Sequence, residues 1–147
     1  AGEELFRDKK GVHNSYKSPD SVNAIDWTLK NKNAAQFDYY RELIALRRAH
    51  PAFRMTSTED IAKNIVFDKI QSPNVVSYSI RNHANGDEWR EIKLVFNGSD
   101  APFVAKVPKG EWTVIARNGE IKAAGLGTSK GGSVVVEPAS ALILARK

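Results

Sequence analysis

Trp112-Thr-Val-Ile-Ala-Arg-Asn-Gly-Glu-Ile-Lys-Ala123 is the stretch whose reading decides the fold. Asn118-Gly119 stands between two β-rich runs, 112–116 and 120–123. Both central residues of the tightest two-residue hairpin need positive φ, which Asn and Gly adopt most readily. Trp112 alternates with Val114, so its indole is expected in a core.

The same texture extends on both sides of this hairpin. Further β-rich runs are expected at 64–70, 75–81, 90–96, 103–107, 133–136 and 141–145. Turn signals separate them: Asn85-Gly86-Asp87, Asn97-Gly98-Ser99-Asp100, Lys109-Gly110 and Gly131-Gly132. Short strands every ~8 to 12 residues are the pattern of an antiparallel sandwich. In Val76-Ser77-Tyr78-Ser79-Ile80 the apolar residues share one face and the serines the other. Gly125-Leu-Gly127-Thr-Ser-Lys130-Gly-Gly132 lacks the Gly-Lys-Ser/Thr ending of a phosphate loop and precedes a strand, so it is expected as an open hairpin loop.

Upstream the pattern changes. Phe37, Tyr40, Leu43, Ile44 and Leu46 recur at helical spacing, which predicts a helix over 34–50 with an apolar stripe. Asn33 suits its N-cap, Gln36 the capping-box position, and Pro51 stops it. The chain therefore divides near Ala52, with residues 1–51 irregular and helical and residues 52–147 all-β. The predicted fold class is mainly β, a C-terminal antiparallel sandwich preceded by an irregular loop and one helix.

Residues 11–27, Gly-Val-His-Asn-Ser-Tyr-Lys-Ser-Pro-Asp-Ser-Val-Asn-Ala-Ile-Asp-Trp, follow neither the helical nor the strand period. A loop this long in a compact protein is functional or disordered, and Tyr16 and Trp27 argue against disorder. Asp20-Ser21-Val22 is expected to start a short helical turn with Asp20 as N-cap, ending at Asp26-Trp27.

Bulk numbers narrow the function. The chain has 147 residues, 41% hydrophobic and 27% charged, which is ordinary for a globular protein. Without cysteine there is no disulfide framework, thiolate metal site or cysteine nucleophile. That fits a cytoplasmic protein and leaves an exported one open. The net charge is +5, but the basic residues are scattered, so a nucleic-acid partner is not expected. No apolar run reaches the ~20 residues of a membrane span, and residues 1–20 lack a signal-peptide core. The opening Ala1-Gly2-Glu3-Glu4 carries no initiator Met, so the chain is expected to be processed or cut from something longer.

Glycoside hydrolysis needs two carboxyls roughly 5 to 9.5 Å apart. Glu3, Glu4, Asp20 and Asp26 are the candidates, each expected as a cap, an ion pair or a positioning group instead of half of an acid/base pair. His13, His50 and His83 lie too far apart for a metal set, and no metal or cofactor is expected. His50 ends the helix, a favourable place for a cation. No Gly-x-Ser-x-Gly turn marks a serine nucleophile. Trp89 follows a polar turn and is expected partly exposed, where it could serve a sugar-binding surface.

Taken together, Ala1-Gly2-Glu3-Glu4-Leu5, Arg7, Lys9 and Asn14-Ser15-Tyr16-x-Ser18-Pro19-Asp20-Ser21-Val22-Asn23-x-Ile25-Asp26-Trp27 resemble the type I pullulanases. These are α-1,6-debranching members of the α-amylase superfamily of glycoside hydrolases. The similarity continues through Tyr39-Tyr40-Arg41-x-Leu43-Ile44-x-Leu46-Arg47 and His50-Pro51-Ala52-Phe53-Arg54, then Val95-Phe96-Asn97-Gly98 and Pro138-x-Ser140-Ala141-Leu142. The resemblance implies that residues 1–51 are the last loop and helix of a (β/α)8 catalytic barrel, and 52–147 the C-terminal sandwich. Loops at the C-terminal ends of barrel strands carry the active sites of such folds. It thus implies a substrate-facing role for Asn14, Ser15, Tyr16 and Asp20, with pullulan or branched α-glucans as partner. The alternative is that Asn14 and Asp20 only brace the loop. The family's catalytic carboxylates come from earlier strands, so the chain alone is expected to be inactive. A non-catalytic module for stability or glucan binding is the competing reading. Without barrel neighbours, the helix stripe of Phe37, Tyr40 and Ile44 is expected to pack on the sandwich or on a second copy.

Overall fold

A computed structural model describes residues 1–147. Its architecture is mainly antiparallel β with a few short helices, and two compact units, Ala1–Arg41 and Glu42–Lys147, make up the chain. No helix is long and apolar enough to cross a membrane.

The first unit holds a 3-10 turn at Glu3–Leu5, α1 (Asp20–Asn23), α2 (Leu29–Lys32) and the first half of α3 (Ala34–Ala49). Pro19, not Asp20, stands at the cap position of α1, and the turn ends at Asn23, before Asp26-Trp27. Proline's fixed φ suits the entry to a helix, although Pro19 supplies no side-chain cap. α3 stops where expected: His50 is extended at φ −109° and ψ 102°, as a residue before proline must be. Its stripe is only partly buried. Leu46 is 2% exposed, whereas Leu43 and Ile44 are 39% and 58% exposed. Thus Leu46 is covered, while the residues of the stripe one turn before it are not.

In the second unit, Ser57 caps α4 (Thr58–Asn64) by accepting from the Asp60 amide at 3.3 Å. This helix takes up the start of the segment expected as strand from residue 64. The large sheet contains β1 (Ile65–Phe67), β2 (Val75–Ile80), β3 (Glu91–Asn97), β5 (Trp112–Arg117), β6 (Glu120–Ile121), β7 (Thr128–Ser129) and β9 (Ser140–Arg146). Its order is β1-β2-β3-β9-β5-β6, with β7 also on β5. β4 (Phe103–Val107) and β8 (Gly132–Val136) form a second, two-stranded sheet. Ala105, Val107 and Val136 of the small sheet pack on Val75, Val95, Trp112, Val114, Leu142 and Leu144 of the large one. Every pairing is antiparallel.

The Asn-Gly hairpin forms as its chemistry requires. Arg117 pairs with Glu120, and Asn118 and Gly119 have φ of 51° and 79°. Trp112 is fully buried. The glycine-rich segment is more ordered than an open loop: Thr128 and Ser129 pair with Thr113 and Trp112. Asn97 also explains its turn. Its buried amide nitrogen donates to the carbonyls of Ala101, Val136 and Glu137, and its oxygen accepts from the Ser99 amide and hydroxyl.

One side-chain expectation is corrected. Trp89 is buried at 7% exposure, because it stacks on the His50 ring with centroids 3.3 Å apart. His50 itself is buried, and its Nδ1 lies 3.0 Å from Asp87 Oδ1. Asp87 also accepts from the Ala52 and Trp89 amides at 3.1 and 2.9 Å. The helix end is therefore locked to the turn before β3. In β2 the serines, not the large residues beside them, face the core. Ser77 and Ser79 are buried, whereas Val76 is 49% exposed. The reason is the charged pair beneath Ser77, described below.

Candidate functional site

The irregular loop of the first unit is held from within. Lys9 Nζ donates to Ser15 Oγ at 2.6 Å and to Asn23 Oδ1 at 3.2 Å. Asn23 Nδ2 donates to the Ser15 and Ser18 carbonyls at 2.7 and 2.8 Å. Arg7 donates to the Asn23 carbonyl and, at 3.3 Å, to that of Ala1. Asn33 Nδ2 donates to the Leu5 carbonyl at 2.8 Å. One arginine and two asparagines thus satisfy loop backbone that has no ladder to pair with, and one lysine ties the Ser15 and Asn23 side chains together.

Of the four predicted wall residues, Ser15 belongs to this bracing and is half-buried. Asn14, Tyr16 and Asp20 are exposed, Tyr16 at 74%. Asn14 and Asp20 are not among the braces; Asn23 and Lys9 do that work. Lys17 Nζ lies 5.4 Å from the Tyr16 ring centroid. Trp27 is also exposed, at 69%. The loop therefore offers amide, carboxylate and aromatic groups to solvent on a braced backbone, a combination suited to hydroxyl-rich ligands.

Two of the nearby carboxyls, Glu3 and Asp26, do not suit proton donation. Glu3 is held below the usual carboxylate range by a backbone amide hydrogen bond, then by the N-terminal ammonium. Asp26 is also held low, by the Thr28 hydroxyl at 2.6 Å and then the Thr28 amide at 2.9 Å. A general acid in glycoside chemistry needs the opposite shift. No group of three or more His, Cys, Asp or Glu side chains could hold a metal ion.

The second unit contains a site that the sequence reasoning missed. Lys93 is 2% exposed and pairs with Asp68. Ser77 donates to the same Asp68 oxygen, Oδ2, at 2.6 Å. Burial raises the Asp68 carboxyl, but hydrogen bonds from Lys93 and Ser77 and the charges of Lys93 and Arg81 outweigh it, leaving it below its ordinary value. A cavity of about 460 Å³ opens beside Asp68, lined also by Ile70, Gln71, Phe103 and Lys106. The signal was present: Lys93 shares its strand phase with the core residue Val95, so a charge had to point inward.

Residues 61–120 match the model of the pullulanase all-beta domain. The chain is 37% identical over 108 residues to the pullulanase of Bacillus subtilis strain 168, covering 74% of this chain and 15% of that protein. Among solved structures, a pullulanase from Bacillus acidopullulyticus superposes with a TM-score of 0.93 at 38% identity, covering 99% of this chain and 18% of that one. A type I pullulanase from Bacillus subtilis complexed with maltose gives 0.87 at 28% identity, covering 99% and 20%. The chain therefore spans less than a quarter of each of these relatives.

Proposed function

We propose that the chain, similar over nearly its whole length to the pullulanases, is a part of such an enzyme and serves the hydrolysis of α-1,6-glucosidic links in pullulan and branched α-glucans. In this reading residues 1–51 are the last loop and helix of an α-amylase-type barrel, and 52–147 are its C-terminal sandwich. Asn14, Ser15, Tyr16 and Asp20 form part of the wall against the glucan, and the reacting carboxylates lie outside this chain.

The observation that carries the reading is the solvent-facing Tyr16 ring on a loop pinned beneath by Lys9 and Asn23. A rigid aromatic face loses little entropy when a pyranose stacks on it. The maltose held by the Bacillus subtilis relative supports an α-glucan as the ligand class. The low-titrating Glu3 and Asp26 support a positioning role for the loop in place of acid catalysis.

The test is hydrolytic. Incubated with pullulan, the chain is expected to release no reducing sugar above a buffer blank. Turnover that Asp20→Ala abolishes would put the chemistry inside the loop and overturn the proposal. In ¹⁵N NMR titration with maltotriose, the amides of 14–20 are expected to shift and Tyr16→Ala to weaken binding. A loop indifferent to maltotriose at any concentration would remove the wall role.

A further inference from the structure

We propose that the groove beside Asp68, on the β unit, is a second, non-catalytic binding site for a neutral α-glucan. The cavity, about 460 Å³, falls in the size range of small-molecule sites, roughly 300–1,000 Å³. One wall is apolar, formed by Ile70 and Phe103, both half-buried against the core. The rest is polar: the Asp68 carboxylate, the Gln71 amide and the Lys106 ammonium.

This lining matches a pyranose. A sugar ring presents C–H faces to an apolar wall and a rim of hydroxyls that both donate and accept. Asp68 accepts, Lys106 donates and Gln71 does both. The lining carries both signs, Asp68 against Lys69 and Lys106, and it offers donors and acceptors side by side, as a hydroxyl rim needs.

Buried support makes this a built site. The Lys93 ammonium lies beneath the groove, and both it and the Ser77 hydroxyl bind Asp68 Oδ2. The carboxylate is thereby fixed in place and kept ionised, and Oδ1 is the oxygen left to a ligand. Lys106 is held similarly, donating to Ser133 Oγ at 2.9 Å across the β4–β8 pair. Preorganised polar groups cost a ligand less to engage than mobile ones.

The choice of glucan as the polyhydroxyl rests on the α-glucan reading of the chain given above, so the test keeps the two sites separate. The full chain is titrated with maltohexaose and, in parallel, with inorganic phosphate, while ¹⁵N amide shifts are followed. Saturable maltohexaose shifts at 68–71 and 103–106 are expected. Gln71→Ala, at an exposed position, is expected to weaken them about 10-fold, the scale of one lost hydrogen bond, with no change in thermal melting. Shifts confined to 14–20 would uphold the loop reading and overturn the groove. Saturation by phosphate but not maltohexaose, or an unchanged dissociation constant in the Gln71→Ala/Lys106→Ala double variant, would also overturn it.

Discussion

Asp87 shows how much one buried carboxylate can hold. It satisfies the Ala52 and Trp89 amides and fixes the His50 ring against Trp89. Asp87→Ala leaves three buried donors or ring nitrogens without a partner, which should cost about 3 kcal/mol. Asp87→Asn keeps the shape and one acceptor and should cost about half as much. Urea unfolding midpoints at constant slope would measure both. Asp68 makes a prediction about pH. Its folded-state carboxyl titrates below the ordinary aspartate value of about 3.9. Its contribution is therefore complete above that value and is lost as pH falls through the lowered one. The stability gap between the wild-type chain and Asp68→Asn should be widest at neutral pH and close under acid, as followed by urea midpoints across pH. Neither role was legible residue by residue. Asp87 was legible only as part of an Asn-Gly-Asp turn, and Trp89 looked exposed because the His50 that covers it lies 39 positions upstream. Local pattern carries no record of such a partner.

Elements were far more legible, because their signals are local. The Asn118-Gly119 hairpin, the Pro51 stop and all eight of the expected strand runs have their counterparts in the fold. Two glycines with similar φ separate backbone freedom from space. Gly119, φ 79°, has nothing within 4 Å of where a Cβ would stand. Gly131, φ 70°, would place that Cβ 2.1 Å from the Pro108 carbonyl oxygen. Gly119→Ala should thus cost only the conformational term, about 1 kcal/mol. Gly131→Ala should cost about 3 kcal/mol, since backbone must move as well. Thermal melts of the two variants would decide, and equal losses would mean that the Pro108 contact yields easily. The helix stripe was legible as a pattern but not as burial. Periodicity tells which residues share a face and says nothing of how far a partner extends along it, so Leu46 is covered while Ile44 is not.

Across the whole molecule, the mainly antiparallel β class follows from turn spacing and alternation, and the candidate loop from the failure of either period. The groove beside Asp68 could not be found this way, since it joins residues from β1–β2 and β4 that only the sandwich brings together. The two units also differ in what holds them. The first relies on side-chain braces around irregular backbone, the second on continuous ladders over a shared core. Amides of 12–28 should therefore exchange with solvent before those of β3 and β9. Trypsin should cut first after exposed Lys10 or Lys17, as mass spectrometry of early fragments would show. First cuts within 91–97 or 140–146 would contradict that order.

The inward serines of β2 have a consequence for how the chain finds its pairing. Sliding β2 by one residue against β3 would bring Val76 and Tyr78 inward in place of Ser77 and Ser79. By hydrophobicity alone that misalignment looks attractive, and it acts as a decoy written into the strand. The slipped pairing would turn Ser77 away and strip its hydroxyl from the Asp68–Lys93 pair. The buried ammonium thus works as a key: only one alignment of β2 completes its lock, and specificity at this strand is purchased with polarity instead of grease.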